Sequence, residues 1–358
     1  MIDFLVIGGG IAGISAGARV AQMGKTLVLE AENHLAYHSS GRSAALYEET
    51  YGKPTTIALN RASKDYHFTA HGGVLSPRGL LLIGQKHEAD AFDQDCTMMS
   101  LDRLTLDQAQ SLLPILNTGT VTFAAHHAEA WDIDTDKLIQ DFARDIRSAG
   151  GSVTTGERVT GITRTKRGWD VTTSKTTHQT KTLINAAGSW ADQIARLAGI
   201  RPLGLTPLKR SMARIAAPGG YETKSWPMIF GPGESWYAKP DAGALLVSPA
   251  DETPVDPHDA WADDMDLAMG LAAYQDYVTQ EVTKPISSWA GLRTFSPDRS
   301  LVLGRAVDDD SFVWCAGQGG YGMQTSPAAS ALIGDICAER PPVLDPETVQ
   351  ALSPQRFA

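Results

Sequence analysis

Cysteine is scarce in this chain. Its three residues, Cys96, Cys315 and Cys337, are an odd number without metal-like spacing. That excludes a disulfide framework and argues against a metal site, so each is expected to be a small buried hydrophobe. No apolar run approaches the roughly 18 residues that a membrane-spanning helix requires. Positive charge is in deficit, with 31 Lys and Arg against 41 Asp and Glu and a net charge of -10. Such a balance opposes the phosphate attraction behind most nucleic-acid binding, so no nucleic-acid partner is expected. Internal repeats and low-complexity linkers are missing too. A glycine motif starting at Gly8 leaves no room for a signal peptide, which makes a cytoplasmic location the expectation.

What is present suffices for more than one core. The chain has 358 residues, 42% of them apolar, and single cores rarely grow beyond about 250–300 residues. Two domains are expected. The opening stretch "DFLVIGGGIAGISAGARVAQMGKTLVLEAE" reads as strand, tight turn, helix and strand. Phe4 to Ile7 form the continuous apolar run of a strand buried on both faces. Gly8, Gly10 and Gly13 follow in G-x-G-x-x-G spacing: one for the turn, one for close approach of a pyrophosphate, one for helix–strand packing. The helix after them aims unpaired N–H groups at phosphates, with Ile11 and Ala12 in its first turn. Glu30, followed by Ala31, stands about 20 residues on, where an acid accepts from an adenosine ribose. A dinucleotide is the expected ligand, NAD or FAD.

Three later stretches favour FAD. "HSSGRSAALYEETYG" places Ser39, Ser40, Gly41, Arg42 and Ser43 just beyond the ribose acid, where hydroxyls, amides and a guanidinium could follow the pyrophosphate. The region from Gly151 to Leu197 passes through β-rich segments including Val159 and returns to the nucleotide sheet at "TLINAAG", ending in Ala186, Ala187 and Gly188. Near the C-terminus, "SFVWCAGQGGYGMQTSPAASALIGDIC" joins a strand to a glycine cluster, Gly317, Gly319, Gly320 and Gly322, and then to a helix beginning near Met323 and Gln324. A helix N-terminus there would favour negative charge at a flavin N1/O2 edge.

Six ordered segments carry a resemblance: "HSSGRSAALYEETYG", "DIDTDKL", "RPLGLTP", "YAKPDAGALLVSPA", "WAGLRTF" and "AGQGGYGMQTS". The chain resembles the D-amino acid oxidase superfamily of FAD-dependent oxidoreductases over almost its whole length, most closely the bacterial D-arginine dehydrogenases. The resemblance implies an α/β fold, with a discontinuous glutathione-reductase-like Rossmann domain for non-covalent FAD and an α+β substrate domain on a mostly antiparallel sheet. Residues 1–72, 131–204 and 289–345 are assigned to the FAD domain, 73–130 and 205–288 to the substrate domain, and 346–358 to a tail. The helix in "WDIDTDKLIQDFARDIRSAGG" should have Asp134 or Thr135 as N-cap and stop at Gly150.

The implied reaction is oxidation of a D-amino acid at Cα, with hydride passing to flavin N5 and the imino acid hydrolysing to a 2-oxo acid and ammonia. A planar carboxylate is best held by a guanidinium fork. By resemblance Arg293 is the principal carboxylate ligand, Arg210 a second, and Tyr51 and Tyr237 pocket walls whose hydroxyls reach the substrate. Met228 and Phe230 match side-chain-pocket positions, equally open to a core-packing reading. Gly320 and Gln324 fall where a backbone carbonyl and a polar side chain meet the substrate amine and flavin edge. Tyr47 reads as packing. His126 and His127 read as structural or exposed.

The pattern departs from the D-arginine dehydrogenases at the distal end. Leu80 stands where they carry an acid and Leu46 where they carry a histidine, which favours a neutral or apolar side chain because an unpaired guanidinium in an apolar pocket is costly. Glu48 either replaces the missing acid from another wall or is a solvated helix-face glutamate beside Glu49. The alternatives are oxidation of a secondary amine acid (sarcosine, a D-proline derivative or an opine) and a non-catalytic flavoprotein. Oxygen or a quinone is the expected electron acceptor.

Overall fold

The computed structural model describes residues 1–282 and 284–358. Its first sheet is built on five parallel strands in the order Ser152–Thr154, Thr26–Leu29, Ile2–Ile7, Thr177–Asn185, Phe312–Ala316. An antiparallel hairpin, Val159–Thr165 and Gly168–Thr173, continues from the strand Thr177–Asn185, and Val302–Arg305 pairs antiparallel with Phe312–Ala316. These strands alternate strictly between two cores because both faces are covered. Val6, Val28, Ile184 and Val313 meet the helices Ile11–Val20, Thr135–Ser148 and Gly322–Ala338 on one face. Leu5, Leu27, Leu183 and Phe312 pack on the other with Trp169, Trp314 and the helix Ala191–Leu197. The helix Thr135–Ser148 is capped by Asp134, whose side chain accepts from the Lys137 amide at 2.9 Å, and Gly150 follows it at φ +81°.

A second sheet runs Thr253–Pro254, Thr206–Ala216, Ala244–Ser248, Tyr237–Asp241, Met228–Phe230, Leu80–Gln85, Val121–His127, Asp102–Leu104. All its pairings are antiparallel except that of Met228–Phe230 with Leu80–Leu82. The strand Ser287–Phe295 also belongs here, in antiparallel register with Thr206–Arg214. The last cofactor-domain segment therefore begins after Phe295 rather than at 289. The assigned tail is likewise no loose end: Pro346–Leu352 is a helix, Leu352 is fully buried, and Arg356 ties to Asp298 and to the carbonyls of Ser300 and Leu301.

A small sheet joins the two halves, with Trp131–Ile133 pairing antiparallel to both Leu46–Tyr47 and Leu75–Pro77. Its anchor is a buried ionic cluster. Lys239 donates to the carbonyls of Ala44 and Ala45 at 2.7 and 3.3 Å and to Asp132 at 2.7 Å. Arg78 holds the other oxygen of Asp132 and donates to the carbonyls of Lys224 and Trp226. One cluster thus fixes both the loop entering Leu46–Tyr47 and the approach to Met228–Phe230.

Candidate active site

Glycine geometry builds the nucleotide end. Gly8 has φ +115°, and a Cβ on it would lie 2.3 Å from the Ala186 carbonyl oxygen; one on Gly13 would lie 1.9 Å from that of Gly8. Only glycine permits this approach of strand, turn and helix. The helix Ile11–Val20 starts without a side-chain cap at Gly10, and the Ile11 amide donates instead to Ser40 Oγ at 3.0 Å. Glu30 closes the strand Thr26–Leu29 and accepts from the amides of Gly9 at 2.6 Å and Glu32 at 2.8 Å, pinning the turn beside it.

Two connected compartments follow. The outer one, about 290 Å³, is lined by Gly8, Gly10, Glu30, Ala31, Ser39, Ser40, Val159, Ala187 and Gly188. The inner one, about 130 Å³, takes in Ile11, Ala12, Arg42, Ser43, Gly319, Gly322 and Met323 and shares Gly10, Ser39, Ser40 and Gly188 with the outer. Glycine-lined walls, an uncapped helix start and a strand-end acid fit an extended dinucleotide. Gly13, Gly41 and Gly317 lie off these walls, the first two where any Cβ would strike backbone and Gly317 in a left-handed turn at φ +65°. Arg42 lines the compartment, yet its donors are committed to Asp259 and to the carbonyls of Tyr37, Ala260 and Ala290. These bonds tie the loop down against the strand Ser287–Phe295 and the 259–260 segment.

Beyond the inner compartment lies a cavity of about 300 Å³. Leu46, Glu48, Tyr51, Leu80, Met228, Phe230, Tyr237, Arg293, Gly320 and Gln324 all line it. Sequence-distant segments converge because the second sheet presents Leu80, Met228, Phe230 and Tyr237 on one face, while the 43–52 loop and the turn before Gly322–Ala338 close the other side. Arg210 is the exception. It lines the inner compartment with Tyr237, Arg293 and Gly320, bonds Glu252 through Nη2 at 3.2 Å, and leaves its buried Nε and Nη1 without a protein partner.

Arg293 is the cavity's free cation. Arg210 and Arg299 share Glu252, but among the described residues no carboxylate lies within ion-pair distance of Arg293. Its guanidinium rests against Gly320, where a Cβ would meet Cζ at 3.0 Å. Desolvation works against its charge, yet the surrounding Tyr237, Tyr51, Glu234 and Tyr321 outweigh that and hold it above the ordinary arginine value. Burial, with Glu234 next in effect, raises the phenols of Tyr51 and Tyr321, which therefore remain protonated donors at neutral pH. Their rings stand 5.3 Å apart.

Tyr47, Glu48 and His127 also find their places. Tyr47 is buried and donates to the Asn60 carbonyl at 3.0 Å. Glu48 follows the strand Leu46–Tyr47 and is 2% exposed, so the solvated helix-face reading is wrong. His127 bonds Glu48 at 2.7 Å and is neither a plain surface residue nor a remote structural one. The Glu48 amide donates to Gln324 Oε1 at 3.1 Å, which leaves Nε2, a donor, for the cavity. Gln324 therefore lines the cavity rather than the cofactor compartments. Missed from sequence were, among others, Lys53, Asp95, Met98, Met99, Glu234 and Tyr321, which also line the cavity. Glu234 lies in "GPGESWY" at φ +54°, and its turn chemistry was the only signal. No metal-binding cluster and no helix long and apolar enough to cross a membrane occur among the described residues.

A parallel nucleotide sheet whose glycine-lined cleft opens into a substrate cavity beside an antiparallel sheet defines a flavin-dependent oxidoreductase. The chain belongs to the FAD dependent oxidoreductase family, whose model matches residues 3–336. It is 24% identical over 403 residues to FAD-dependent oxidoreductase domain-containing protein 1 of Xenopus laevis, covering 94% of this chain and 79% of that one. It is 24% identical over 368 residues to peroxisomal sarcosine oxidase of Homo sapiens, covering 96% and 94%. The structure superposes on crystalline glycine oxidase from Geobacillus kaustophilus with a TM-score of 0.85 at 20% identity, over 98% and 97% of the two chains.

Proposed function

We propose that the chain oxidises D-amino acids at the Cα–N bond, with Arg293 holding the substrate carboxylate. The observation that carries this reading is the unpartnered guanidinium of Arg293 in a largely apolar cavity next to the cofactor cleft. A desolvated cation without a protein anion is built to receive one from a ligand, and a carboxylate matches its fork. FAD, held by the glycine turn, Glu30 and the 39–43 loop, supplies the hydride acceptor. Tyr51, Tyr237 and the Gln324 amide donate to the bound carboxylate and orient Cα. The substrate amine loses its proton to solvent, and the imino product hydrolyses in water to a 2-oxo acid and ammonia. Oxygen or a quinone then takes the electrons.

A second reading, oxidation of a secondary amine acid such as sarcosine, is favoured by the similarity to sarcosine oxidase. Anaerobic bleaching of the flavin absorbance separates the two. D-amino acids should bleach faster than their L-forms and than sarcosine; bleaching by sarcosine alone would replace the first reading with the second. In either case Arg293→Met should raise the required substrate concentration by about 100-fold or more, the usual result of leaving a buried charge unpaired. An unchanged requirement would remove Arg293 from the site.

A further inference from the structure

We propose that the Glu48–His127 pair is the acceptor for a cationic, hydrogen-bond-donating end of the substrate's side chain. The proposal rests on the reading of Arg293 as the carboxylate ligand. The two together make the cavity bipolar.

Glu48 lines the cavity and is almost wholly buried. A buried carboxylate needs hydrogen-bond donors around it. It is held well: Oε1 accepts from the Thr50 amide at 3.0 Å and the Thr50 hydroxyl at 2.8 Å, and Oε2 accepts from His127 Nδ1 at 2.7 Å. An ionised carboxylate offers about four acceptor positions, so these three bonds leave one for a ligand. His127 sits directly across the strand pair from Leu80. Glu48 therefore supplies an acid beside the wall where the sequence shows only leucine.

The rest of the cavity agrees with a long substrate. Met98, Met99, Met228, Phe230 and Leu80 would sheathe an aliphatic stem. Asp95 and Glu234 add two more acids to the lining. Lys53, the other cation there, donates to the Asp298 carbonyl. With Arg293 engaged by a carboxylate, the remaining field is negative, which reverses the neutral preference expected from Leu46 and Leu80.

The test uses two acids without an α-amine, 5-guanidinopentanoate and its nearly isosteric neutral analogue 5-ureidopentanoate. Neither can be oxidised at a Cα–N bond, so binding to the purified holoenzyme is read from perturbation of the flavin spectrum. The guanidino acid should bind about tenfold tighter or better, the worth of one charge-assisted hydrogen bond. Glu48→Gln should bring the two affinities together. Equal affinities in the unaltered protein, a comparison that needs no variant, would overturn the proposal, as would a preference that survives Glu48→Gln. If the guanidino acid binds tightly while D-arginine fails to bleach the flavin, the side-chain assignment stands and the D-amino acid reading falls.

Discussion

The cofactor cleft and the substrate cavity adjoin, yet they are made differently. The cleft is formed by backbone: Gly8 and Gly13 let strand, turn and helix come within contact distance. The cavity is formed largely by side chains from separate strands and loops. A backbone site tolerates almost no substitution and reads the same in many proteins. A side-chain site can change its ligand by one or two residues.

This contrast can be broken most severely at Gly13. Gly13→Val should abolish FAD binding and destabilise the fold, since its Cβ would overlap the Gly8 carbonyl. Flavin content and melting temperature check it, and a yellow, normally melting variant would show that the cleft is not backbone-limited.

A smaller effect is expected where the two regions are tied together. Lys239 is buried and bonds both the 44–45 backbone and Asp132. Lys239→Met should cost about 2–3 kcal/mol, because polar groups once paired with it are left buried. KM should rise while bound FAD is kept, since the released loop walls the cavity, and Lys239→Arg should recover part of the loss. Loss of FAD with normal KM would instead make the clamp a cofactor device.

The smallest effect at neutral pH concerns buried His67, whose Nε2 meets the backbone carbonyl of Gln324 at 2.8 Å. Burial lowers its pKa to about 4, so the folded state holds the neutral ring. The unfolded chain, titrating near the ordinary value of about 6.5, then binds more protons between the two values. Stability is therefore fully present above about 6.5 and falls as pH drops toward 4, with nothing lost at neutral pH. Melting temperatures from pH 7 to pH 4 should fall less steeply in His67→Gln, and parallel curves would count against it.

Much of the cleft was legible in the sequence because its parts are local. The spacing of Gly8, Gly10 and Gly13, the apolar strand before them and Glu30 after them lie within one short segment, and each has a single steric or electrostatic meaning. The helix cap at Asp134 was equally local. Arg293 and Tyr51 could be picked out through whole segments that resemble a family. Arg42 could not be judged this way, because its partners Asp259, Ala260 and Ala290 lie more than 200 residues away.

By itself, then, the sequence determined the nucleotide-binding unit and the two-domain plan, and it singled out Arg293, which lines the cavity. Periodicity and glycine sterics act over a few residues and survive any tertiary context. Only the tertiary structure decided that Glu48 is buried, that His127 holds it, that Arg210 stands in the inner compartment, and that Asp95, Glu234 and Tyr321 line the cavity. Those facts depend on which strands lie side by side. The register that sets His127 opposite Leu80 is fixed by packing across the whole sheet, not by any residue near them in the chain.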